Sequence, residues 1–314
     1  MTDASLRVAF AGPHVTVQDA GRPGLMRFGV PASGPLDRLA FAAANLAVGN
    51  PQGAPCIEVS MGGLTIDCTA GAVGFAVAGG GFIVDHAGQK RGSWTVATLR
   101  AGERLVIRPG PWGSWCYLAL AGEVQATRWL GSAATHGLSG FGGGRLVAGC
   151  TIAVTQPRSI SARDIPCPVI ARPRHRLHVT LGPQDRFFAP ETLAAFLSGP
   201  WRMTDAWDRM GVRLAGPRIA PAAALDMPSE PIMRGSVQVA GDGVATVLLA
   251  DHQTTGGYPK IATVLDAELD AMAQLRPRDP VEFAPLSPTA AIQVARTARM
   301  AAGRYLATLA RTPG

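Results

Sequence analysis

One short stretch of the chain gathers groups able to bind and polarise a small molecule. Asp251–Val264 reads DHQTTGGYPKIATV, and its first ten positions hold Asp251, His252, Gln253, Thr254, Thr255, Tyr258 and Lys260. Gly256 and Gly257 let the main chain turn sharply and approach a ligand closely, and Pro259 stiffens the exit. Carboxylate, imidazole, carboxamide, hydroxyl and ammonium groups on one loop suit a small polar ligand. A hairpin with a decorated turn has the same composition, and both readings stand at this point. A second dense region, Gln18–Glu58, opens with Asp19-Ala-Gly-Arg22, a turn that sets a carboxylate and a guanidinium three residues apart.

These groups need elements to hold them. Val244–Ala250 before the first loop and Ile261–Val264 after it read as short apolar strands. In the second region Ser33 reads as the cap of a helix with Pro35 near its first position, and Leu36, Leu39, Ala43, Leu46 and Ala47 share one face. Asn45 lies on or beside that stripe and is expected to tie down a loop. From Ile57 to about Thr155 short strands alternate with Gly-rich turns at the spacing of a sandwich or barrel. Residues 140–145 (GFGGGR) read as a tight β corner in preference to an anion cradle. Residues 156–174 hold four prolines and read as a connection between domains. Beyond them a helix is expected over Glu191–Leu197, and Asp208-Arg209 reads as an ion pair or a ligand clamp. From Pro288 the tail reads as an amphipathic helix capped by Ser287 and packed with a solvated Arg face.

Composition narrows the function classes. The 314 residues include 38 Gly and 25 Pro, with 47% hydrophobic and 16% charged residues, which fits a large β-rich core. The net charge of +7 is scattered and does not alternate with aromatics, so a small anionic substrate is favoured and nucleic acid is not. Five cysteines without a C-x-x-C pair, and no leader-like start, point to reduced core thiols in the cytoplasm. Ala70–Val84, the longest apolar stretch, is broken by five glycines, and no membrane association is expected. A P-loop and a G-x-S-x-G elbow are both missing, and the isolated histidines do not suggest a metal centre.

Four segments together carry a family resemblance: VQDAGRPGLMRFGVPASGPLDRLAFAAANLAVGN at 17–50, LGPQDRFF at 181–188, DRMGVRLAG at 208–216 and LLADHQTTGGYPKIATV at 248–264. They resemble the biotin-dependent carboxyltransferase family, long labelled allophanate hydrolase subunit 2. That family includes the C subunit of bacterial ATP-dependent 5-oxoprolinase and the carboxyltransferase region of urea carboxylase. The resemblance runs from about residue 6 to 285. It implies a mainly β chain with two cyclophilin-like β-barrel domains side by side, a few short helices and a C-terminal helix. The expected bounds are 1–167, 168–287 and a helical tail at 288–314. The chain departs from the family at Ser132-Ala133-Ala134-Thr135, where an Arg is usual, and at His252, where an Arg is also usual.

What the resemblance implies functionally is a component that phosphorylates 5-oxoproline on the way to L-glutamate. It would use ATP with Mg²⁺ in a complex with partners resembling the B and A subunits of 5-oxoprolinase. Lys260 is then the charge stabiliser and Arg22 a carboxylate or phosphate contact. Gln253, Thr254, Thr255 and Tyr258 orient the substrate, with Ser33, Asp37, Gly256 and Gly257 beside it. Asp19 and Asp37 either hold Mg²⁺ or order Arg22, or serve as turn and helix-cap carboxylates. The alternatives are carboxyl transfer from carboxybiotin to urea or a similar amide, and a regulatory binding protein without its own chemistry.

Overall fold

The computed structural model describes residues 3–222 and 227–311, and these divide into two compact units. The first comprises residues 3–22, 33–172 and 302–311; the second comprises 23–32, 173–222 and 227–301. The grouping differs from the expected bounds in three places. The division falls at 172/173, a short segment at 23–32 belongs with the second unit, and the tail is no separate body. The reason lies in burial. Residues 156–172 do not behave as a loose connection, because Ile160, Ile165 and Ala171 sink into the first unit's core and Arg163–Asp164 pairs with Thr95 and Val96.

The first unit holds two sheets. One runs Glu123–Val124, Thr151–Thr155, Ala4–Ala11, Leu64–Ala70, Arg104–Arg108, Ile83–His86, Gln89–Gly92 from edge to edge. The other runs Arg163–Asp164, Thr95–Arg100, Ala72–Ala78, Trp115–Leu120, Cys56–Ser60, Thr16–Gln18. Both faces of the second sheet are buried, which explains runs such as AVGFAVA and WCYLAL that show no polar alternation. Val73, Phe75, Val77, Leu118 and Leu120 belong to the main core. Ala76, Ala78, Tyr117 and Ala119 belong to a second core with helix α1, Arg38–Ala47. Small residues on that outer face let the Ala-rich helix sit close to the sheet.

The second unit is a closed seven-stranded barrel. Its strands neighbour one another in the order Arg176–Leu181, Lys260–Val264, Ser236–Val239, Ala245–Leu248, Gly211–Ala215, Trp201–Trp207, Pro280–Pro285, returning to the first. Closure leaves no exposed sheet edge in the barrel. Helix α2 spans Pro190–Ser198 with Pro at its start and Gly199 after its end, as the sequence predicts. Helix α3 is short, Leu269–Ala273. Helix α4, Pro288–Ala310, begins on Ser287, whose hydroxyl accepts from Ala290 N at 3.3 Å. Its last turns pack on the first unit through Ala302, Tyr305, Leu306 and buried Leu309. Among the described residues no helix is long and apolar enough to cross a membrane.

Candidate functional site

The barrel order changes the reading of the Asp251–Val264 stretch. The strands on either side of it do not form a hairpin, because Ser236–Val239 lies between Lys260–Val264 and Ala245–Leu248. The loop therefore crosses the end of that middle strand. A register shift after Val237 then sets Gln238 directly opposite Lys260. Directly opposed residues on neighbouring strands project to the same face, about 5 Å apart at Cβ.

Lys260 is 1% exposed, and its Nζ has no hydrogen-bond partner among the described residues. Gln238 is also buried, and its Nε2 likewise donates to nothing there. Two donors without acceptors, one of them cationic, side by side in a buried place form a cost that a bound acceptor removes. The neighbouring side chains are held firmly. Gln253 Nε2 donates to Gln238 Oε1 at 3.1 Å, fixing which end of the Gln238 amide faces outward. Gln184 Oε1 accepts from Lys260 N at 2.9 Å, Gln184 N donates to Lys260 O at 3.1 Å, and the Gln184 amide donates to Glu230. Burial pushes the Lys260 ammonium below the usual lysine range, and the nearby Glu230 carboxylate opposes that shift only in part.

Other predicted residues of the loop play different parts. Thr255–Gly256 pairs with Glu230–Pro231, and the carbonyl of Thr254 accepts from Ile232 N, so this part of the loop is anchored through its backbone. Tyr258 is half exposed, and Gly257 packs beside the Met227 carbonyl. Asp251 is not directed at a ligand. It accepts both Nε and Nη2 of Arg209, at 2.9 and 3.1 Å, with both side chains buried. The expected Asp208–Arg209 pair is thereby corrected: Asp208 instead accepts from Met210 N and Gly211 N and closes a turn. His252 is buried, and burial lowers its pKa; Arg234 adds to the shift, while the Gln253 carbonyl and Asp251 oppose it. At neutral pH this position therefore carries no full positive charge.

In the first unit, Asp19 is the hub of a turn. Its Oδ1 accepts from Gly21 N at 2.9 Å, Ser132 Oγ at 2.5 Å and Ala134 N at 3.1 Å, and its Oδ2 accepts from Ala133 N at 2.7 Å. Arg22 is 3% exposed, donates to the Ala134 carbonyl, and lies 4.8 Å from the Trp129 ring centroid. Asp19 thus orders the segment on which Arg22 rests, with its oxygens committed to that task. Asp37, not Ser33, caps α1: it has extended backbone and accepts from Ala40 N at 2.9 Å. Ser33 instead sits at φ +53°, a left-handed conformation that no N-cap uses, and its buried hydroxyl has no partner among the described residues. Gly34 follows at φ +85°, where a Cβ would stand 3.2 Å from Ala20 O, so the two turns abut. Glu58, fully buried, accepts from Leu36 N and from the Tyr117 hydroxyl, and that hydroxyl accepts from Asp37 N.

Residues 140–145 act as the expected corner, with Gly143 N donating to Ala133 O and a Cβ on Gly142 standing 2.2 Å from Ala134 O. Asn45 ties its helix to Ala54 O, also as expected. Asp19→Asn places an NH₂ against a donor at Ala133 N, and we expect a loss of about 2–3 kcal/mol. Calorimetry should show the melting temperature falling by about 5–10 °C; an unchanged melt would show that the hub does not hold this turn.

The sequence reading missed Gln238, Gln184 and Glu230. The available signal was a glutamine between two valines in the strand Ser236–Val239, all four residues of which are buried. A polar side chain in such a run needs a partner or a ligand.

Comparison with known proteins adds an independent line. Residues 28–285 match the family model described as carboxyltransferase domain, subdomain A and B. The chain is 33% identical to the 5-oxoprolinase C subunit of Escherichia coli (strain K12), with 97% of each chain covered. Among solved structures it matches TTHA0988 at 34% identity and a TM-score of 0.80, covering 90% of this chain and 56% of that one. It matches the Kluyveromyces lactis urea carboxylase at 25% identity and a TM-score of 0.85, covering 97% of this chain and 29% of that one.

Proposed function

The chain belongs to the carboxyltransferase domain, subdomain A and B family, and from that premise we propose that it is the substrate-holding subunit of an ATP-dependent 5-oxoprolinase. In this reading it binds 5-oxoproline, and partner proteins complete the conversion to L-glutamate. The observation that carries the proposal is the buried Lys260 ammonium beside the Gln238 amide, two donors awaiting an acceptor. 5-Oxoproline offers two acceptors, a carboxylate and a lactam oxygen. An ammonium against one and a directed amide against the other fix the ring in a single orientation, and Gln253 keeps the amide turned the right way. The full-length likeness to the 5-oxoprolinase C subunit supports the same choice.

Mg²⁺ does not fit the carboxylates proposed for it from sequence. Asp19 is committed to Gly21, Ser132, Ala133 and Ala134, and Asp37 caps α1. We assign the nucleotide and its metal to the partner. What this chain supplies is charge, orientation and exclusion of water at Lys260.

Protonation of Lys260 gives the reading a pH signature. An anionic ligand binds the ammonium form, and the folded pKa lies below the ordinary lysine value. Affinity for 5-oxoproline is therefore retained at low pH and falls up to about tenfold per pH unit above that lowered pKa. Calorimetric titration across pH, with 5-oxoproline-dependent ATP hydrolysis by the chain plus its partners, tests this. Flat affinity from neutral to alkaline pH, or hydrolysis indifferent to 5-oxoproline, would reject the assignment.

A second reading has its own support in the carboxyltransferase family model and the likeness to urea carboxylase. The same two donors suit the ureido oxygen of biotin, which would carry the carboxyl group destined for a urea-like amide. Turnover that requires biotin, and not 5-oxoproline, would select this alternative.

A further inference from the structure

We propose that the first unit carries a separate binding site for a small polyanion bearing several phosphate groups, in a hollow of about 490 Å³ beside the exposed strand Gln89–Gly92. Four cations line this hollow, Lys90, Arg91, Arg108 and Arg172, and neither Asp nor Glu is among its lining residues. None of the four forms an ion pair among the described residues. Asp85 stands opposite Lys90 in strand register but outside the lining. Arg91 shares its sheet face with Gln89, to which its guanidinium donates at 3.0 Å, and so projects away from Lys90. The three like charges left on this side, Lys90, Arg108 and Arg172, repel one another, and a bound polyanion relieves that repulsion. Two of these three, Arg108 and Arg172, are guanidiniums, whose planar forks match phosphate oxygens pairwise.

The walls are built rather than incidental. Arg172 lies 4.4 Å from the Trp112 ring centroid, which holds its guanidinium over the indole. Gly81 N donates to Trp112 O at 2.8 Å, and a Cβ on Gly110 would stand 1.8 Å from Gly81 O, so two loops lock together at the floor. The Gly80 carbonyl accepts from both Ser93 Oγ and Trp94 Nε1. Trp94 itself is held at φ +73°, a strained conformation maintained by those contacts. The volume lies in the range for small-molecule ligands, about 300–1,000 Å³. Cys167 shares the lining; burial pushes its thiol upward, and the adjacent Arg172 guanidinium opposes that shift.

The site lies wholly in the first unit, and Lys260 lies in the second, so the two are separable by mutation. The test is calorimetric titration of the full chain with inorganic tripolyphosphate, with metal-free ATP and citrate in parallel. Expected is binding of tripolyphosphate or ATP that weakens with salt, falls about tenfold or more in Arg108→Gln and in Arg172→Gln, and is unchanged in Lys260→Met. Citrate should bind more weakly than tripolyphosphate. Absence of binding by both phosphate probes, equal affinity in the arginine variants, or citrate binding as tightly would overturn the proposal.

Discussion

Replacing Lys260 with Met is expected to abolish ligand binding and at the same time to make the protein more stable. Both effects arise from one observation, an ammonium 1% exposed whose Nζ has no acceptor among the described residues. Truncating a cation that anchors a buried anion removes about 2–5 kcal/mol, so 5-oxoproline affinity should drop at least about thirtyfold. In the free protein the same charge is a burden. Removing a buried, unsatisfied polar group of similar size to the replacement recovers about 1–3 kcal/mol, or about 3–8 °C in melting temperature. The sign with pH follows from the direction of the shift. The folded pKa lies below the unfolded one, so between the two the unfolded chain holds a proton the folded chain has shed, and wild-type stability rises with pH there. Below that window the whole cost is present. The advantage of the Met variant should accordingly be largest near neutral pH and shrink in alkaline buffer. Thermal melts of both proteins over a pH series, beside titration with 5-oxoproline, measure the two effects. A Met variant that melts lower than wild type would make Lys260 a structural residue and remove the basis for the site.

The density of polar groups in Asp251–Val264 was enough to find this region, and the apolar runs were enough to find the β-rich core. The partners were harder to find, because they depend on pairing between distant strands. Gln238 meets Lys260 only because the loop crosses a strand and the register shifts after Val237. Nothing local in Ser236–Val239 or in Lys260–Val264 encodes that shift. A similar limit applies at Ser33 and Asp37. Pro35 made Ser33 look like a cap, but the chain adds another turn first, and the extended backbone a cap requires occurs at Asp37. Sequence neighbours also mislead about charge. Asp208 adjoins Arg209, yet its short side chain closes its own turn, and the longer Arg209 reaches across to Asp251.

That last pair sets up the second large effect. Arg209 and Asp251 are 3% and 0% exposed at their side chains, with two parallel hydrogen bonds between them, and Asp251 N also donates to Arg209 O at 2.8 Å. Desolvating two charges costs about as much as their attraction returns, so the intact pair adds little net stability. Breaking it is another matter, because the surviving charge keeps its desolvation cost without a partner. Asp251→Ala should lose about 3–5 kcal/mol, while the double variant Arg209→Met with Asp251→Leu should recover most of that loss. The loop offers a second readout. Asp251 fixes the start of the segment that ends at Lys260, so the single variant should also bind 5-oxoproline more weakly, and the double variant should restore part of the affinity through packing and the retained backbone bond. Denaturant unfolding of wild type, Arg209→Met, Asp251→Leu and the double variant closes the cycle and isolates the coupling. If Asp251→Ala unfolds within about 1 kcal/mol of wild type, the pair behaves as a solvated contact, and the loop must be held by its other anchors, the pairing with Glu230–Pro231, the Thr254–Ile232 backbone bond and the Gln253–Gln238 bond.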